Sequence, residues 1–275
     1  MPGKAVLGIE NGMFAYGATP VFENVSFMLD DSRTGLVGEN GAGKSTLLRC
    51  LMGEAELTKG QVIRSSSLHV SYLAQDIPDD LQKLTVREVL ERSLAKVQSH
   101  DEWKIDVLLD ELNVPYDDGA RLFGSFSGGW QRLLLIAAAT SLEEPDILIL
   151  DEPTNHLDIA HLNRLEEWLL AQTRVPMLIV SHDREFLDKI TNRTIFLRTD
   201  GAHAFKAPFA QARQELLQRD EAAAKQRHLE EKEIDRLHKM AMRYKAWGVL
   251  NSQFHKRQRA TEKRIDRLKE DRTDV

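Results

Sequence analysis

The sequence predicts an α/β protein with a mostly parallel core sheet, a small antiparallel β layer near its start and a charged helical extension at its end. Three observations carry this. "DILIL" (146–150) and "PMLIVS" (176–181) are unbroken apolar runs, as expected of parallel strands buried on both faces. "AHLNRLEEWLLAQ" (160–172) lies between them with helical spacing, and a strand–helix–strand unit implies a right-handed crossover. From Pro208 onward Gly and Pro vanish except for Gly248, while charged residues and Ala dominate.

The remaining elements follow in order. Residues 5–37 alternate apolar and polar positions with glycine punctuation, the pattern of strands and turns. Within them "TGLVG" (34–38) reads as a short strand running into a glycine loop, and "KSTLLRCLMGE" (44–54) as a helix stopped at Gly53. Residues 60–75 return to strands, and 85–143 are mainly helical with a break at "NVPYDDGARLFGSFSGG". "RTIFLRTDG" and "HAFKA" read as a closing strand pair, so the body is expected to span 1–207 and a helical linker 208–275. In the linker, Leu237, Met240, Tyr244 and Trp247 share one helical face, and Ile265 and Leu268 begin another. A break around Gly248 to Ser252 suggests a two-helix hairpin zipped by these faces.

The formal net charge of −6 hides a split. Residues 208–275 carry 17 Lys/Arg against 12 Asp/Glu, while the rest carries 20 against 31. An acidic body with a basic tail points to the tail as the part that meets a polyanion, against the alternative of a solvated charged helix. The single cysteine, Cys50, excludes an internal disulfide framework and sits among leucines as a small buried hydrophobe. The N-terminus lacks the apolar core of a signal peptide, and no apolar run approaches the ~20 residues a membrane helix needs. The expectation is a soluble, cytoplasmic protein without a transmembrane segment of its own.

Three motifs carry chemistry. "GENGAGKS" (Gly38 to Ser45) fits the phosphate-binding loop G-x-x-x-x-G-K-[ST] and has the required context of strand before and helix after. Its backbone N–H groups would wrap phosphates, Lys44 would reach the β- and γ-phosphates, and Ser45 would bind Mg²⁺. "DILILDEP" ends an apolar strand in two acids, with Asp151 placed to hold Mg²⁺ and Glu152 to orient or deprotonate an attacking water. "SFSGGWQR" (Ser125 to Arg132) precedes an apolar helix. Ser127 reads as its N-cap, with Gly128 and Gly129 leaving the helix end bare for an anion.

In this order the motifs resemble the ABC ATPase superfamily over residues 5 to about 207. The resemblance implies an ABC-type nucleotide-binding domain with a helical signature subdomain. It implies that Tyr16 stacks on adenine and that Glu39, Asn40, Gly41, Ala42, Gly43 and Thr46 complete the ATP cradle. It further implies that Gln75 touches Mg²⁺ and senses the γ-phosphate, that Asp158 crosses a dimer interface, and that His182 contacts the γ-phosphate. Trp130 departs from the pattern, standing where the signature usually has Gln. "DEPTNHLD", "SGGW" and "SHDREFLD" look like the ABC-F branch, whose members pair two ATPase domains through a charged linker that reaches the ribosome and P-site tRNA. This implies ATP and Mg²⁺ as ligands and a second ATPase domain, in the same full-length chain or as a homodimer partner. It also implies RNA contacts at Lys256, Arg257, Arg259, Lys263 and Arg264. The rival expectations are an ATPase subunit serving a separate membrane protein, a chromosome-type ATPase, and a regulatory ATP-binding domain without hydrolysis.

Overall fold

The computed structural model describes residues 7–97, 100–155, 157–172, 175–248 and 252–270. The chain divides into two compact units, Met1–Arg213 and Gln214–Val275.

The first unit holds two sheets. Strands β1 (Leu7–Tyr16), β2 (Thr19–Leu29) and β4 (Lys59–Arg64) form an antiparallel sheet in the order β2-β1-β4. Tight passage there requires glycine at Gly60, which has φ +81°, because a Cβ would stand 2.3 Å from the carbonyl oxygen of Asn11. The second sheet runs β5-β6-β7-β3-β8-β9, made of β5 (Val70–Leu73), β6 (Ile147–Asp151), β7 (Met177–Val180), β3 (Arg33–Gly38), β8 (Arg193–Arg198) and β9 (Gly201–Phe205). All its pairings are parallel except β8 with β9. Every residue of β6 and of β7 is buried, which is why these strands read as continuous apolar runs.

Helix α1 (Lys44–Met52) buries Leu47, Leu48, Cys50 and Leu51, and Gly53 closes it in the left-handed conformation at φ 78°. A helical layer follows. It contains α2 (Val86–Lys96), α3 (Trp103–Glu111) and α4 (Gly128–Ser141). Thr85 and Glu88 form a capping box on α2. Helix α5 (Ile159–Ala171) joins β6 to β7, and α6 (Arg184–Ile190), capped by Asp183, follows β7.

Helix α7 (Phe209–Gly248) begins in the first unit, where Phe209 packs 6.0 Å from Phe196 and Ala212 is fully buried. The compact first unit therefore runs six residues past the boundary expected at 207. In the second unit α7 meets α8 (Ser252–Glu270). Ile234 and Leu237 pack against Ile265, with Leu268 beside them, so the helices fold back on each other as a hairpin. Arg264 stands 3.5 Å from Glu233 across it. The packed face begins one turn earlier than the sequence suggests, at Ile234, and continues through Ala241. Met240 and Tyr244 are only half-buried. The side chain of Trp247 and residues 249–251 lie outside the described residues.

Candidate functional site

A cleft of about 520 Å³ opens at the C-terminal ends of the parallel strands. Tyr16, Asn40, Gly41, Gly43, Lys44, Ser45, Thr46, Gln75, Asp151, Glu152 and His182 line it together, although they come from residues as far apart as 16 and 182. Val21, Asn155 and Val180 complete the wall. Val21 carries no signal in the sequence, whereas Asn155 lies within "DEPTNHLD" and Val180 within the apolar run before His182.

The loop between β3 and α1 turns through Gly41 and Gly43, at φ 82° and 89°. At Gly43 a Cβ would also stand 2.6 Å from Val21 Cγ1, so this position needs glycine on two grounds. Lys44 is buried under the loop, and its ammonium donates to the carbonyls of Gly38 (2.9 Å) and Glu39 (3.1 Å). Burial lowers its pKa, while Glu152 and Asp151 oppose that shift. Tyr16 projects from the end of β1, largely exposed, with Phe14 edge-on to its ring at 5.0 Å.

Asp151 and Glu152 are both buried, and burial raises the pKa of each from its ordinary value. Asp151 lies within reach of the Ser45 hydroxyl and of Tyr72, whose OH is 3.5 Å away. Burial, with Asp151 next, pushes the Tyr72 phenol up to about 12. Glu152 takes a left-handed backbone at φ 48°, unusual for a residue with a side chain. It is held there from both sides: its N–H donates to Val180 (2.8 Å), and its Oε2 accepts from the backbone N–H of His182 (3.1 Å). The His182 ring nitrogen Nε2 stands 3.2 Å from Glu152 Oε1, but off the line of a hydrogen bond. Glu152 Oε1 is thus a buried oxygen without a hydrogen-bond partner, although the His182 ring stands beside it. The turns carrying Glu152 and His182 are tied by Thr154 and Ser181, hydroxyl to hydroxyl at 3.0 Å.

Gln75 is exposed on the cleft rim. Its backbone carbonyl accepts from the buried guanidinium of Arg132, which also binds the carbonyl of Ala74 at 2.6 Å. Ser45, Gln75 and Asp151 are oxygen donors on one cleft, a set that suits a hard cation sharing its coordination with phosphates. Among the described residues no cluster of three or more His, Cys, Asp or Glu forms a dedicated metal cage.

Ser127, Gly128, Gly129 and Asp158 are not among the residues lining this cleft. Ser127 caps α4, accepting from the Trp130 N–H at 3.3 Å. Gly128 has open space before it, as a bare helix end requires. Gly129 differs from the sequence reading: it is buried, and a Cβ there would stand 2.7 Å from His161 Cγ. Its missing side chain makes room for His161. Asp158 caps α5, accepting from the backbone N–H of His161 at 2.9 Å.

The linker candidates Lys256, Arg257, Arg259, Lys263 and Arg264 are exposed on α8. Helical geometry puts Lys256, Arg259 and Lys263 in one stripe opposite the packed Ile265. Arg257 and Arg264 lie together to one side of it, and Arg264 is turned toward Glu233.

Comparison with known proteins agrees in kind. The family model described as "ABC transporter" matches residues 22–155. The chain is 35% identical over 200 residues to the ribosome protection protein VmlR of Bacillus subtilis, covering 72% of this chain and 35% of that protein. It is 30% identical to ABC transporter F family member 2 of Arabidopsis thaliana, covering 96% of this chain and 44% of that protein. The chain therefore spans less than half the length of these relatives. The solved structure of a nucleotide-free ATP-binding cassette from an ABC transporter shares the fold, with a TM-score of 0.65 at 19% identity over 78% of this chain and 95% of that one. Among the described residues no helix is long and apolar enough to cross a membrane.

Proposed function

We propose that this chain, which belongs to the ABC-F family of ABC ATPases, binds ATP in the cleft over Lys44 and hydrolyses it once a second ATPase domain closes on it. The observation that carries the reading is the convergence of Lys44, Asp151, Glu152 and His182 on the one cleft that the phosphate-type loop lines. A water aimed at the γ-phosphate would meet the Glu152 carboxylate as its acceptor in this cleft. Lys44 would exchange loop carbonyls for phosphate oxygens, and Tyr16 would stack on the base. Glu152 would orient the water and take its proton, while His182 steadies the γ-phosphate. Ser45, Asp151 and Gln75 would hold Mg²⁺, which would supply neutralisation of phosphate charge.

ABC ATPases work as pairs. Ser127, Gly128 and Asp158, which do not line the cleft over Lys44, are read as serving the nucleotide of that second domain. ATP would then favour the closed pair and hydrolysis the open one. The second domain lies in the same full-length chain or in a second copy.

The stripe Lys256, Arg259 and Lys263, with Arg257 and Arg264 beside it, is read as the surface that neutralises RNA phosphates on the ribosome, near the P-site tRNA. The name of the Bacillus subtilis relative and the position of the hairpin after the ATPase unit support this. On this reading the protein acts in the cytoplasm. The test is Glu152→Gln in the full-length protein, sedimented with ATP. It is expected to remain on ribosomes, and recovery in the ribosome-free fraction would overturn the assignment. Charge reversal at Lys256, Arg257 and Arg259 should release it from ribosomes while ATP binding persists.

A further inference from the structure

Trp130 takes no part in the chemistry proposed above, yet its surroundings are specific. The indole meets the His161 ring edge-to-face, with centroids 5.8 Å apart and planes at 80°. The Arg164 guanidinium lies 5.0 Å from the Trp130 ring centroid. His161 and Arg164 stand three apart on α5, so one face of that helix presents both to the indole. His161 is itself fixed: its Nδ1 is 2.7 Å from the Asp158 carboxylate, and its ring fills the space left by Gly129. Further along the same two helices, the Trp168 Nε1–H donates to Thr140 Oγ1 at 3.0 Å. Contacts at 130 with 161 and 164, and at 140 with 168, mean that α4 and α5 run side by side in the same sense. Their capped N-termini, Ser127 and Asp158, therefore lie at the same end of the pair.

We propose that Trp130, gripped by His161 and Arg164, is a positioning residue that locks the Ser127–Gly129 segment to the Asp158 turn, so that both elements meet the second ATPase domain as one rigid surface. This rests on the paired-ATPase reading above. A glutamine at 130 would offer His161 and Arg164 no aromatic face, so α5 and residue 130 form a matched set. The group acts on the closing of the pair, not on ATP held by Lys44.

The test uses the full-length protein with Trp130→Ala, Arg164→Ala, the double variant, and Trp130→Phe. ATP affinity and steady-state turnover are read separately. Each alanine variant is expected to lower kcat about tenfold with ATP affinity unchanged. The double variant should be no slower than the worse single one, and Trp130→Phe, which keeps an aromatic face, should restore most of the rate. Additive losses, a phenylalanine variant as slow as alanine, or ATP affinity falling together with melting temperature would overturn the proposal and leave the ATPase reading standing. Absence of ATP turnover in the unaltered full-length protein would overturn both.

Discussion

Glu152 combines three costs in one residue: burial of a carboxylate, a left-handed backbone, and an oxygen without a partner. Strain of this kind persists where the surroundings over-determine it, here through Val180 and His182. Its pKa is raised by burial, so the folded chain holds this proton more tightly than the unfolded chain. Stability is therefore lost as pH climbs from the ordinary carboxylate value through the raised one, and stays lower above it. Replacing Glu152 by Gln removes the charge and keeps the shape. At neutral pH the variant's nucleotide-free form is expected to gain about 1 kcal/mol, roughly 2–4 °C in melting temperature. The gain should disappear below about pH 4, where the acid is protonated in both states. Calorimetry across pH checks this. That Lys44, Asp151 and Glu152 would share one cleft was legible because each sits in a motif with strand-end context. The strain at Glu152 and the packing of His161 on Gly129 were not, because each is made by a partner some thirty residues away in sequence.

Elements were legible where one physical signal dominated. β6 and β7 announce themselves because burial on both faces leaves no polar position. Helix α6 escaped notice because its seven residues give Phe186, Leu187 and Ile190 too few turns to show a period. The face of α7 was read from Leu237 because Ile234 lies among acids that mask it. The hairpin core is small, so each of its members should matter. Ile265→Ala is expected to cost roughly 2–5 kcal/mol of local stability and to part α8 from α7. Amide hydrogen exchange along α8 should accelerate while exchange in α1 and the parallel strands holds. Unchanged α8 protection would mean that this apolar contact does not hold the hairpin.

At the scale of the whole molecule, charge is divided along the chain. The acidic excess lies in residues 1–207 and the basic excess in residues 208–275. The sequence could list the motifs of a nucleotide site, but it could not say which share one surface. Tyr16 and His182 share a cleft that Ser127 and Asp158 do not line. That separation depends on strand order, in which β3 is flanked by β7 and β8, its partners from far later in the chain.

The chain's lone thiol adds a property of a different kind. Cys50 sits on α1, 1% exposed, and burial raises its pKa. Such a sulfur is inert to alkylation until the helix lifts from the sheet. Its labelling rate is thus a clock that counts openings of the core beneath the phosphate loop. Lys44 and Ser45 head the same helix, so ATP is expected to slow that clock, and a nucleotide-independent rate would mean that the helix and its ligand breathe separately.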